Sequence, residues 1–159
     1  MYQTVVCARP AIGVTVTRDS SVLTANQLKK LAKERLKDAK ALLSRGRHDG
    51  AMYICGYAVE LALKARICRH LRWQGFPETR KEFESYHSFK THDLDVLLML
   101  SGQDKRIKTN NLAEWSAVAA WDPEVRYKPV SSATKDDADG MIKAAQVLLN
   151  KLCPQKERL

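Results

Sequence analysis

The chain has no C-x-x-C pair, no internal repeat, no low-complexity tract and no histidine beyond Arg126. Each absence removes a class of protein. Cys7, Cys55, Cys68 and Cys153 stand apart, without a partner histidine at ligand spacing, which argues against a zinc knuckle and against a disulfide framework. No metal and no cofactor is expected. The uncharged stretches fall far short of the roughly 20 apolar residues that cross a bilayer, so no membrane partner is expected. The first residues lack a basic start followed by an apolar core and a small-residue cleavage site, so the expected location is the cytoplasm.

What is present fits one globular domain: 159 residues, 45% apolar and 28% charged, with a formal net charge of +9. A charge of that size favours polyanions, because each neutralised phosphate releases condensed counterions. Much of it has a duller use. Lys29, Lys30, Lys33, Lys37 and Lys40 populate the outer face of an amphipathic helix, and Arg66, Arg69, His70 and Arg72 suit the negative end of a helix macrodipole.

Residues 1–23 read as an arm or tail, with Val14 and Val16 alternating in a short strand-like piece. From residue 24 to 153 the period is helical, and 154–159 form a tail. Thr24 and Gln27 make a capping-box pattern ahead of the stripe Leu28, Leu31, Ala32, Leu36, Ala39, Leu42 and Leu43, which Gly46 ends. Asp49 is the expected N-cap of a second helix, apolar on nearly every side as far as Leu71. Thr91 is expected to cap a third helix over residues 92–100. A basic loop, 104–108, leads to a fourth at 110–121, where Asp122 and Pro123 prevent continuation. A fifth runs from about Thr134 to Leu152. Five helices with short connections predict an all-α antiparallel bundle.

Within the second helix stands one carboxylate, Glu60. A helix apolar all round is enclosed by its neighbours, and an acid enclosed with it needs a cation or stays protonated. Lys64 lies four residues on, in the favourable orientation for a helical ion pair. Glu60 is expected to accept from Arg126 or Tyr127 as well, pinning the fourth-to-fifth connection across the central helix. That role is structural.

Four pieces in order resemble the HEPN domain family: Leu36, Asp38, Ala39 and Leu42-Leu43; the run Tyr57-Ala58-Val59-Glu60-Leu61-Ala62-Leu63-Lys64-Ala65; the start Thr91-His92-Asp93-Leu94; and Arg126-Tyr127 ahead of the last helix. The likeness covers about residues 24 to 152 and implies a small helical module that binds RNA, a nucleotide or a partner protein. It also implies a homodimer and a toxin-antitoxin or phage-defence setting, with a nucleotidyltransferase-type antitoxin among the implied partners. Members that cut RNA do so without metal, through an Arg and a His separated by four to six residues near the last helix. That pairing suits the chemistry, since Arg holds a phosphate bidentately and His moves a proton near neutral pH.

Here Arg126 is followed by Tyr127, Lys128, Pro129 and Val130, and no histidine comes after. Arg80 and His87 have six residues between them but precede the third helix. The expected function is therefore binding without standard ribonuclease activity. The alternative is a metal-independent ribonuclease with an atypical site of Arg126, His92 and Tyr127, and a second alternative is a protein-binding helical adaptor. Candidate ligand-binding residues are Glu60, Lys64, Trp121, Ser132 and Thr134. Trp121 is there as a base-stacking plane, and Ser132 and Thr134 as phosphate contacts at a helix start. His92 has the plainer reading of a helix-start residue making one hydrogen bond, and Thr134 that of a cap.

Overall fold

The computed structural model describes residues 23–77 and 89–154. Of the expected arm at 1–23 all but residue 23, the Arg80–His87 pair, and all but the first residue of the tail at 154–159 lie outside the described residues.

The described residues form six α-helices and one 3-10 helix, without a named strand. Helix α1 spans Ala25–Ser44 and starts as its sequence dictates: Thr24 accepts from the Gln27 amide at 3.3 Å and Gln27 Oε1 accepts in return from the Thr24 amide at 2.8 Å. It stops at Gly46, whose φ of 70° carries the chain round a turn that a residue with a Cβ adopts only at a cost. Helix α2, His48–His70, begins one residue before Asp49. Asp49 is thus not the N-cap. It sits in the first turn, and its carboxylate is used across the molecule instead.

Helix α3 spans Leu94–Leu100, two residues later than expected. Asp93 rather than Thr91 caps it, accepting from the Val96 amide at 3.1 Å, while Thr91 Oγ1 accepts from the Asp93 amide. His92 therefore precedes the helix. The expected basic loop is itself helical, as α4 over Asp104–Asn110, because Ile107 buries completely and anchors a segment otherwise charged. Asn111, at φ −143°, separates it from α5, Leu112–Ala119. Asp122 then accepts from the Glu124 amide at 2.6 Å, and Pro123 opens a 3-10 turn over Pro123–Tyr127. Helix α6, Lys135–Leu152, has the expected Thr134 cap in a box with Asp137 and ends before Pro154.

Helix α2 occupies the middle, lying along α1 and against α6, α3 and the 3-10 turn. Its buried residues Ala51, Cys55, Gly56, Ala58, Val59, Glu60, Ala62, Leu63, Ala65, Ile67 and Cys68 fall on nearly all sides. Most are small, which lets neighbouring helices approach closely, and Leu63, Leu97, Leu98, Leu148 and Leu152 fill the space between. Truncating one of these leucines to Ala costs about 2–5 kcal/mol. The described cysteines, Cys55, Cys68 and Cys153, are free and buried, and burial pushes the Cys55 thiol up to about 12 and that of Cys68 to about 11. No helix among the described residues is long and apolar enough to cross a membrane.

Candidate functional site

One face of α2 carries polar groups at helical spacing: Tyr53, Tyr57, Glu60 and Lys64. Glu60 is 2% exposed. Its Oε1 accepts from Lys64 Nζ, and its Oε2 lies 2.9 Å from Nδ1 of His92, whose side chain is 56% exposed. The enclosed carboxylate and its Lys64 partner agree with expectation. The third partner does not: His92 from the chain ahead of α3 occupies the place anticipated for Arg126 or Tyr127. The short α3 starts late enough to leave His92 in extended chain beside α2, and the 3-10 turn carries Arg126 elsewhere. Lys64 also lies over the Phe76 ring, 5.1 Å from its centroid.

Arg126 sits at the other end of the stripe. It pairs with Glu124 at 3.0 Å and stacks on Tyr127 with 4.7 Å to the ring centroid, and Tyr127 is 72% exposed. Tyr127 first and Tyr53 second hold the guanidinium in its charged form, above its already high ordinary value. Tyr53 and Tyr57 hydroxyls are 3.4 Å apart, and their rings meet edge to face at 5.2 Å. That bond, with a smaller effect of Arg126, lowers Tyr53 below the usual phenol, whereas burial and the same bond push Tyr57 up to about 12. Tyr53 and Glu60 are seven residues apart, about 10 Å along the axis. His92, at Glu60, and Arg126, beside Tyr53, thus meet the same face of α2 at different heights, with Tyr57 between.

Trp121 is 6% exposed. Its ring meets Tyr57 edge to face at 5.0 Å and lies so close over Gly56 that a Cβ there would collide with three indole atoms. Gly56 therefore makes room for the indole, which is largely enclosed by the fold and lines a cleft with Met52 and Val125. Among the described residues its Nε1 is buried without a hydrogen-bond partner. Ser132 and Thr134 are likewise occupied within the fold. Ser132 Oγ donates to Asp49 at 3.1 Å, and Thr134 Oγ1 caps α6.

The start of α2 and the segment leading into α6 enclose an open cleft of about 580 Å³, lined by Arg47, His48, Asp49, Tyr53, Arg126 and Lys128 among others. Asp49 shapes it. Its carboxylate accepts from the Ser131 amide at 2.6 Å and the Ala133 amide at 2.8 Å, and these bonds hold it below the ordinary carboxylate range. Ser131, at φ 65°, turns the chain so that both amides face α2. The tether spans 82 residues of sequence and fixes the loop that carries Lys128.

The residues singled out from sequence thus divide into two places: Glu60, Lys64 and His92 midway along α2, and Arg126 and Tyr127 beside the cleft at its start. Arg47, His48, Tyr53 and Lys128 were not singled out. Tyr53 had a signal, since it stands four residues before Tyr57 and seven before Glu60 in an otherwise apolar helix. Arg47, His48 and Lys128 had none, because residues 80 apart in sequence meet only where the start of α2 packs against the segment leading into α6.

Neither the curated proteins nor the solved structures yielded a match. A family model, HEPN domain, matches residues 25–79. That stretch holds α1, α2 and the Glu60-bearing stripe, and α3 to α6 complete a helical bundle around it. The comparison thus shows a likeness to the HEPN domain family, and it extends over residues 25–79 of this chain.

Proposed function

We propose that this protein is a HEPN module that binds RNA or a nucleotide through the cleft at the start of α2, with Arg126 holding a phosphate, and that it lacks the standard ribonuclease chemistry. The observation that carries this reading is the charge imbalance of the cleft. The cations Arg47, Arg126 and Lys128 line it, and the one carboxylate among its lining residues, Asp49, is already taken by two amides and a hydroxyl. Glu124 pairs with Arg126, but at the surface, where such a pair is worth at most about 1 kcal/mol and yields to a phosphate. The separation of Arg126 from His92 supports binding over cleavage.

The same reading places the protein in the cytoplasm as a homodimer, within a toxin-antitoxin or phage-defence pair whose second member is a nucleotidyltransferase-type antitoxin or another protein. Exposed Met99 and Leu112 offer apolar surface for such contacts.

The test is equilibrium binding of fluorescent single-stranded RNA and of ATP to the full chain, with Arg126→Gln alongside and gel analysis of the same RNA in chelator. Binding weakened about tenfold in the variant, with intact RNA throughout, is the expected result. RNA cleavage that disappears in both Arg126→Ala and His92→Ala would instead establish the atypical ribonuclease. Binding of neither probe, with a protein partner captured by the same surface, would leave the adaptor reading.

A further inference from the structure

The opposite end of α2 gathers cations that the cleft does not use. Lys29 and Lys33 lie one turn apart on α1, Arg66 and Arg69 three residues apart on α2, and Arg106 on α4. All five surround the end of α6. Lys29 Nζ donates to the Pro154 carbonyl, Arg106 Nη2 donates to the Lys151 carbonyl at 2.7 Å, and Cys153 Sγ lies 3.9 Å from the Ala62 carbonyl, one turn before Arg66. The two carbonyl bonds are what the negative end of a helix attracts, and they account for Lys29 and Arg106. Arg66 and Arg69 stand toward the end of α2, where cations suit the helix dipole, but neither they nor Lys33 takes a helix-end carbonyl as Lys29 and Arg106 do.

Among the described residues none of the five pairs with a carboxylate, whereas Lys37, Lys64, Lys108, Arg126 and Lys143 all do. The five instead repel one another. Burial, then Arg69 and Lys33, hold Lys29 below its ordinary value, and burial, then Arg106 and Arg69, do the same to Arg66. The Nε of Arg66 is enclosed without a hydrogen-bond partner among the described residues. Like charges assembled from several elements with no acid among them cost stability in the free protein, and an anionic ligand offsets that cost.

We infer that this end of the bundle is a second phosphate-binding surface, which takes the backbone of RNA. The shape favours a chain of phosphates over a single small anion. The cations come from three helices, with Arg69 and Arg106 exposed and Lys29, Lys33 and Arg66 half-buried, and neighbours on one helix have Cβ atoms about 5–6 Å apart, so they form an extended array rather than one pocket. It is separate from the cleft: His48 and Arg69 are 21 residues apart on α2, about 32 Å. The choice of RNA among polyanions rests on the proposed function, and the position of the surface does not.

The experiment measures fluorescence anisotropy of a 16-base-pair RNA duplex with the full chain, from about 50 to 200 mM salt. The variant Lys33→Gln/Arg69→Gln is compared with Lys135→Gln/Lys143→Gln, which removes the same net charge from exposed positions on α6. The first pair is expected to lose about tenfold in affinity at the lowest salt and to flatten the log–log salt slope by roughly two phosphates' worth. The control stays within about twofold of the parent. The charge-keeping Lys33→Arg/Arg69→Lys restores binding, which separates lost charge from a damaged fold.

Equal losses in both glutamine pairs mean that net charge alone binds RNA, and the inference fails. A silent Lys33/Arg69 pair beside a weakened Arg126→Gln also overturns it while leaving the cleft reading intact. Poly-glutamate bound as tightly as RNA, and released by the same Lys33/Arg69 change, refutes the assignment to nucleic acid.

Discussion

Glu60 Oε2 and His92 Nδ1 lie 2.9 Å apart, which ties the extended chain ahead of α3 to the middle of the central helix. With Lys64 on the other oxygen, one enclosed carboxylate serves two cationic or donor groups from different parts of the sequence. Replacing Glu60 by Gln keeps the shape and removes the charge. Lys64, only 17% exposed, is then left without its counter-ion. The expected cost is about 1–3 kcal/mol, below that of a fully buried pair because His92 reaches water. Urea unfolding of the variant measures it, and an unchanged midpoint with unchanged slope contradicts the anchor.

Gly56 has no room for a side chain. A Cβ there meets three atoms of the Trp121 indole, so Gly56→Ala must displace the ring or bend α2. Overpacking of this kind costs about 1–3 kcal/mol, against the several tenths that alanine normally adds in a helix. A lower melting temperature with a shifted tryptophan emission is expected. A more stable Gly56→Ala protein would show that the indole has room to move.

The Asp49 tether predicts a pH dependence. Its folded carboxyl is held below the roughly 3.9 of an unfolded aspartate by the amides of Ala133 and Ser131. A depressed folded value stabilises above the unfolded value and ceases to do so as pH falls through the folded one. Asp49→Asn should therefore melt at lower temperature than the parent at pH 7, and the gap should close as pH falls from about 5 toward 3. A constant gap across that range would place the effect in the loss of packing rather than of charge.

Arg126 predicts a dissociation of binding from stability. Its partners are Glu124 at the surface, the exposed ring of Tyr127 and the Tyr53 hydroxyl at the edge of the cleft. Arg126→Gln should change unfolding free energy by less than about 0.5 kcal/mol, the usual range for surface substitutions, while weakening RNA or nucleotide binding. Calorimetry and anisotropy on one preparation decide it. A large drop in melting temperature would make Arg126 a structural residue.

The sequence exposes what repeats at short range. The capping pair Thr24 and Gln27, the stripe of α1, the nearly all-apolar α2 and the Thr134 box are each set by residues within a few positions of one another, and they stand where expected. The same local reasoning fails at α4, because a seven-residue helix with the single anchor Ile107 has no period to detect. It fails again at Asp49, whose carboxylate looks like a cap until Ser131 and Ala133 arrive from 82 and 84 residues away. Burial of Glu60 follows from its apolar neighbours, but the choice of His92 over Arg126 as partner depends on where α3 begins, which two residues of cap chemistry decide.

The bond from Lys29 Nζ to the Pro154 carbonyl joins positions 125 residues apart and brings the entry of α1 against the exit of α6. The bundle is in this sense a closed loop with a short gap. A circular permutant that bridges that gap with a flexible linker and opens at the exposed Arg45–Gly46 turn should retain the helical packing, since the cut falls in a turn and severs no helix.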